Sequence, residues 1–198
     1  MHFHVFTTHE TILERMKKVV ECLGVPDVTL QVYTAPGHFL SRHRPSLNSS
    51  ANAVRLFLGS VLPKEVRKVM WLDSDILVLR DVRELWQLFD TTTSLYTIAG
   101  VPRVDNKTLF QFFRAPGNHP ALPLFEKRYG RPMPLDKVGF NAGAIMLNLD
   151  HIRHNDSYLE REVRWWMRIN HNHMLWSGGS QPLMLLMYIT GQRQALLH

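Results

Sequence analysis

Two carboxylates, Asp73 and Asp75, stand one residue apart at the end of the apolar run Val69-Met70-Trp71-Leu72, and a second apolar run, Ile76-Leu77-Val78, follows at once. Carboxylates are seldom buried unless paired or bound to a metal, so a pair at the end of a buried-strand pattern calls for a cation. In a strand, residues i and i+2 share a face. That spacing would aim Asp73 and Asp75 at one divalent ion and turn Ser74 away. Hard oxygen donors suit magnesium or manganese, ions that complete their shell with water and substrate phosphate. A lone Asp-x-Asp is also a common turn or solvated strand end. The apolar runs on both sides favour the metal reading.

Such a pair needs a sheet to hold it. Apolar spacing predicts strands over residues 2–7, 28–33, 66–72, 95–101 and 141–148, with 76–78 continuing extended. A helical stripe of Ile12, Leu13, Met16, Val19, Val20 and Leu23 starts at Thr8 or His9 and is stopped by Gly24 and Pro26. Further helices are predicted over 52–62, with Val54, Leu58 and Leu62 on one face, and over 82–88, 151–169 and 181–188. Residues 34–48 read as a loop. Residues 102–137 are the least regular part, with one short helix around 109–113. Strands alternating with helices predict an α/β sandwich with a mostly parallel central sheet. The aspartate pair then lies at the carboxyl end of a strand, where open α/β sheets bind ligands.

A chain of 198 residues with 45% hydrophobic and 20% charged residues fits one globular domain with a real core. The single cysteine, Cys22, falls in the helical stripe and is expected to be a small buried hydrophobe. A formal charge of +6 points to an anionic partner. Arg42, Arg44, Lys64, Arg67, Lys68, Arg161, Arg164 and Arg168 are scattered, unlike the dense basic and aromatic patch of a nucleic-acid module. A nucleotide diphosphate is therefore favoured over nucleic acid. No stretch approaches the roughly 20 apolar residues that span a bilayer, so no membrane contact is expected, and the first residues do not read as a signal peptide.

The run from Val69 to Trp86, with its Leu72-Asp73-Ser74-Asp75 core and Asp81-Val82-Arg83-Glu84-Leu85-Trp86 ending, resembles the signature of glycosyltransferase family 8. Gly139-Phe140-Asn141-Ala142-Gly143-Ala144-Ile145-Met146-Leu147-Asn148-Leu149-Asp150 is similar to that family's second motif, and Ala53-Val54-Arg55-Leu56-Phe57-Leu58 to its Arg-bearing helix. Trp165-Trp166-Met167, Leu175-Trp176 and Gln181-Pro182-Leu183 resemble the galacturonosyltransferase-like and "glycosyltransferase 8 domain-containing" branch. The resemblance covers nearly the whole chain. It implies one domain over 1–198 with the GT-A fold, a Rossmann-like nucleotide-sugar sandwich. It implies a retaining enzyme of the Golgi lumen that moves a hexosyl unit from a UDP-sugar to a glycan or other hydroxyl acceptor, with galacturonic acid slightly favoured.

The resemblance also assigns residues. Asp73 and Asp75 would hold Mn²⁺ or Mg²⁺ across the donor diphosphate, with Ser74 between them. Arg55 would be a second electrophile. Asn141, Ala142 and Gly143 would lie against the donor sugar, and Gln181 beside its anomeric carbon. Ser180 and Pro182 flank Gln181 where many members carry carboxylates. That departure fits a front-face mechanism better than an aspartate nucleophile. The family's first strand and its His-x-x-Gly-x-x-Lys-Pro-Trp segment have no counterpart here, so the metal pair is expected to want a third ligand, and His198 does not take that role.

Two other classes compete. One is a non-catalytic, impaired glycosyltransferase-like domain that binds a sugar or partner. The other is a phosphotransferase of the haloacid dehalogenase type, set aside because Ile76-Leu77 follow where that class wants Gly-Thr. Trp165, Trp166 and Trp176 read as packing residues. His2, His4 and His9 offer no second ligand set, and His151, His154, His171 and His173 read as surface.

Overall fold

The computed structural model describes residues 1–7, 10–24, 26–34, 50–92, 97–113, 121–154, 158–170, 175–176, 179–190 and 194–196. Of the predicted loop over 34–48, residues 35–48 lie outside them, as do Thr8, His9, His171, His173 and His198. Contacts divide the chain into two units, Met1–Arg55 and Leu56–His198.

In the first unit β1 (His2–Thr7) and β2 (Thr29–Thr34) pair in parallel, from His2↔Thr29 to Thr7↔Thr34. The helix α1 (Glu10–Leu23) joins them and packs on both. It ends at Gly24, whose φ of +54° is the left-handed conformation that glycine adopts without strain. Tyr33 stacks on Phe6 and bonds His4 Nδ1 at 3.0 Å. Cys22 is exposed, contrary to expectation. It lies nine residues past Leu13, which is two and a half helical turns, and so on the opposite face. Phe3 is exposed too. The predicted helix over 52–62 is two shorter ones, α2 (Ser50–Val54) and α3 (Leu58–Val61). Where a longer helix would bond Asn52 carbonyl to a backbone N–H, the Arg55 Nε donates instead, at 3.1 Å.

The second unit carries a four-stranded sheet in the order β3 (Lys68–Leu72), β5 (Phe140–Asn148), β4 (Ile98–Pro102), β6 (Gln194–Leu196). It is not mostly parallel: β5 runs antiparallel to both β3 and β4, and only β4 and β6 are parallel. Parallel neighbours need a connection that crosses back to the opposite end of the sheet. The segment 103–139 does not cross. It leaves β4 at Pro102 and re-enters at Phe140, which pairs with Pro102 itself. Within it lie a short 3₁₀ turn (Leu109–Gln111), as expected, and α5 (Ala121–Tyr129), which apolar spacing did not announce. Pro123 sits in the first turn of α5, where its missing N–H costs nothing.

One sheet face packs on α4 (Val82–Thr92), where Leu85 and Met70 meet buried Ala99 and Met146. Residues 76–78, expected to be extended, form no strand, and Leu77 and Val78 are 79% and 51% exposed. The predicted long helix over 151–169 is described as α6 (Leu149–His154) and α7 (Tyr158–Ile169). The helix α8 (Gln181–Thr190) is buried from Pro182 to Thr190.

Two polar devices tie these helices down. Buried Glu162 of α7 accepts from Arg128 and from the Tyr129 hydroxyl of α5, and the Arg128 guanidinium lies 4.1 Å over the Trp165 ring. Burial and then the Glu162 bond push the Tyr129 hydroxyl well above its usual range. Trp166 donates to that hydroxyl at 3.1 Å, so Trp165 and Trp166 are packing residues, as is buried Trp176. Arg153 of α6 donates to five carbonyls, of Gly59, Leu62, Pro63, Lys64 and Val66, at 2.8–3.0 Å. It thereby closes the end of α3 and sets the entry to β3. Arg153→Met keeps the aliphatic stem and leaves those carbonyls to water. It should lower stability by about 2 kcal/mol in urea unfolding, and a loss under about 0.5 kcal/mol would remove Arg153 from this role.

Candidate functional site

The last pair of the β3–β5 ladder is Leu72↔Ala144, and one residue on the Asp73 N–H still donates to Gly143 carbonyl at 2.8 Å. An antiparallel rung has a second half, Gly143 N–H to Asp73 carbonyl. Both groups are taken elsewhere. The Gly143 N–H donates to Asn141 Oδ1 at 2.9 Å, and the Asp73 carbonyl accepts from Ile76 N–H at 3.1 Å. The ladder stops there and Asp73-Ser74-Asp75 enters a turn. The strand argument that put both carboxylates on one face therefore fails: the pair is presented by a turn. Asp73 is half-buried, while Ser74 and Asp75 are exposed.

The Asp73 carboxylate accepts one bond from β3 and lies against β5. Its Oδ1 accepts from Trp71 Nε1 at 2.6 Å. Its Oδ2 faces Gly143, where an added Cβ would stand 3.1 Å from Asp73 Oδ2 and 3.2 Å from Asn141 Oδ1. Two oxygens from two strands thus converge over a Cα that carries no side chain. Trp71 was not singled out from the sequence. The signal was there: a donor two residues before Asp73, on the same side of one strand.

Gln181 opens α8 and reaches back to β5. Its Nε2 donates to Phe140 carbonyl at 2.6 Å and its Oε1 accepts from Ala142 N–H at 3.1 Å. It does here what a neighbouring strand would do, because β4 slips register between Gly100 and Pro102 beside this stretch. Gln181 is thereby tied to the Phe140–Ala142 stretch that flanks Asn141, and the next residue, Gly143, meets Asp73. Asn141 lies between the two clamped residues with its side chain exposed. An N–H can only donate, so Gly143 fixes the amide oxygen inward and leaves the NH₂ facing out. Arg55 is only 6% exposed, not the solvated helix residue it could have been, and its Nη2 donates to Asn52 Oδ1 at 3.3 Å.

The donor set suits a hard divalent ion: carboxylate and amide oxygens around a cradle that one methyl group would fill. Among the described residues no group of three or more His, Cys, Asp or Glu could hold a metal alone. Among them, too, no helix is long and apolar enough to cross a membrane.

Comparison with known proteins gives one family match, to the model of "Glycosyl transferase family 8", over residues 2–196. A curated relative, the Arabidopsis thaliana "Probable galacturonosyltransferase-like 9", is 28% identical over 179 residues, covering 87% of this chain and 43% of its own length. The chain spans about half the length or less of such relatives. Among solved structures, mouse xyloside xylosyltransferase 1 superposes with a TM-score of 0.64 at 16% identity, over 99% of this chain and 71% of its own. The galactosyltransferase LgtC, solved with donor and acceptor sugar analogs, has a TM-score of 0.61 at 16% identity, over 100% of this chain and 73% of its own. The fold is shared with these enzymes.

The Gln181 clamp has a direct test. Gln181→Ala leaves Phe140 carbonyl and Ala142 N–H without their partner. Hydrogen exchange at the Ala142 amide should accelerate about tenfold, roughly 1.4 kcal/mol of lost local protection. An unchanged rate would show that the amide draws its protection elsewhere.

Proposed function

The chain belongs to glycosyl transferase family 8, and from that premise we propose that it moves a hexosyl unit from a UDP-sugar to a glycan or other hydroxyl acceptor with retention of anomeric configuration. The observation that supports this reading best is the Asp73 N–H to Gly143 carbonyl bond, which joins the aspartate segment to the Asn141-Ala142-Gly143 segment. Asp73, with Asp75, would hold Mn²⁺, or Mg²⁺, for the donor diphosphate. When bound, that ion supplies Lewis acidity and neutralises charge on the leaving group. Arg55 is proposed as a second cationic partner of the donor.

The chain's own groups would bind and orient. The outward NH₂ of Asn141 donates to a sugar or phosphate oxygen. Gly143 lets that sugar approach the backbone, with Ala142 and Ser74 lining the approach. Each end of the Gln181 amide keeps one bonding position after its bond to β5. Gln181 can therefore hold Asn141 in place and still touch the sugar. No carboxylate flanks Gln181, so we favour a front-face step. The bond from the anomeric carbon to the diphosphate oxygen breaks and the bond to the acceptor oxygen forms on the same face. The acceptor proton passes to the departing diphosphate. A galacturonosyl donor and a Golgi location extend the likeness to the plant relatives.

A second reading, a domain that binds without turnover, draws on the presentation of the pair: one carboxylate is half-buried and the other exposed in a turn. Calorimetry of UDP with and without Mn²⁺ separates the readings. We expect Mn²⁺-dependent heat that Asp73→Asn abolishes, and its absence in the wild type would sink the enzyme reading of this chain. Gly143→Ala puts a methyl group about 3.1 Å from Asp73 Oδ2 and should cut turnover about tenfold. Turnover within about twofold of wild type would remove the cradle from the mechanism.

A further inference from the structure

One face of the β1–β2 pair carries two imidazoles. His2 and His4 lie two apart on β1, so their side chains leave the same face, about 6.6 Å apart along the strand. Each ring is tied to β2 through Nδ1. His2 Nδ1 bonds the Thr29 hydroxyl directly across the ladder, and His4 Nδ1 bonds the Tyr33 hydroxyl at 3.0 Å. Nδ1 and Nε2 lie on opposite edges of an imidazole, so both Nε2 atoms turn away from β2. Among the described residues neither Nε2 has a hydrogen-bond partner. The sequence alone offered these histidines no ligand set; the register adds a fixed direction for each ring.

The proton on His4 is placed by the next bond. The Tyr33 hydroxyl has one proton and donates it to Gln31 Oε1 at 2.8 Å. Towards His4 it can then only accept, so His4 carries its proton on Nδ1 and a lone pair on Nε2. That is the tautomer of a metal-ligating histidine, whose second nitrogen donates to an outer group. The Thr29 hydroxyl can accept from His2 in the same way. Burial, and then the neighbouring His2, lower the His4 pKa from its ordinary value, which keeps the ring neutral at neutral pH. Tyr33 is itself held by its stack on Phe6, 5.1 Å between centroids.

We propose that His2 and His4 bind Zn²⁺ through their two Nε2 atoms, a nitrogen site unlike the oxygen set around Asp73. Imidazole suits Zn²⁺, Cu²⁺ and Ni²⁺, whereas carboxylate and amide oxygens suit Mg²⁺ and Mn²⁺. Two imidazoles supply half of a tetrahedral zinc shell, and water completes it. Thr29 and the Tyr33–Gln31 relay are the outer bonds that aim the two ligands, and loss of such a bond costs about 10- to 100-fold in metal affinity.

The test follows the histidine side chains of the full chain by ¹H–¹⁵N correlation near neutral pH. Without metal, His4 should show the Nδ1–H tautomer. Zn²⁺ should then move the Nε2 resonances of His2 and His4 together, and Mg²⁺ at the same concentration should move neither. His4→Asn keeps a donor near the place of Nδ1–H and removes Nε2. Tyr33→Phe keeps both ligands and removes the outer acceptor. Each should shift the Zn²⁺ titration of the His2 ring about tenfold to higher metal. A titration within about twofold of wild type in either variant would overturn the proposal. An Nε2–H tautomer at His4, or Zn²⁺ shifts confined to the other histidines, would overturn it in the unsubstituted protein.

Discussion

The second unit depends on β5 running against β3. Because the two strands are antiparallel, the end of one lies beside the beginning of the other: Leu72 opposite Ala144, and Asp73 bonded to Gly143. Motifs about seventy residues apart in the chain become neighbours through that single pairing. A parallel β5 would carry its Asn141-Ala142-Gly143 to the far end of the sheet from Asp73. The direction of β5 follows from the connection 103–139, which returns to the end of the sheet it left.

At the junction four main-chain polar groups given up by the ladder find replacements. Gly143 N–H goes to the Asn141 side chain, Asp73 carbonyl to Ile76, and Phe140 carbonyl and Ala142 N–H to Gln181. Ending a ladder inside a protein leaves buried donors and acceptors that must be satisfied. Two side chains with candidate functional roles, Asn141 and Gln181, and the main chain of Asp73 are also parts of this closure. Their geometry is held by the same bonds that let the sheet end there.

Much of this was legible in the residues. The 66–72 and 141–148 strands, α8, and the aspartate and Asn-Ala-Gly segments were each visible from apolar runs and from polar residues set into them. Family membership was legible from the motifs taken together. What was not legible depended on groups distant in sequence. Alternating elements imply a parallel sheet unless a connection fails to cross, and no local pattern in 103–139 reports that. The turn at Asp73 exists because Asn141 captures the Gly143 N–H, about seventy residues away. Cys22 matched an apolar stripe by residue type but lies half a turn off it. The α5 helix was hidden because Pro123 punctuates its first turn.

The central claim is that Asp73-Ser74-Asp75 and Asn141-Ala142-Gly143 form one cation and nucleotide site. Paramagnetic broadening tests it most directly: sub-stoichiometric Mn²⁺ is added with UDP while backbone amide resonances are followed. The account predicts that Ser74, Asp75, Ala142 and Gly143 amides vanish first and together, and that Asp73→Asn restores them. Broadening that spares Gly143 and Asp75 and spreads instead over scattered acidic residues such as Glu65 and Glu126 would contradict it.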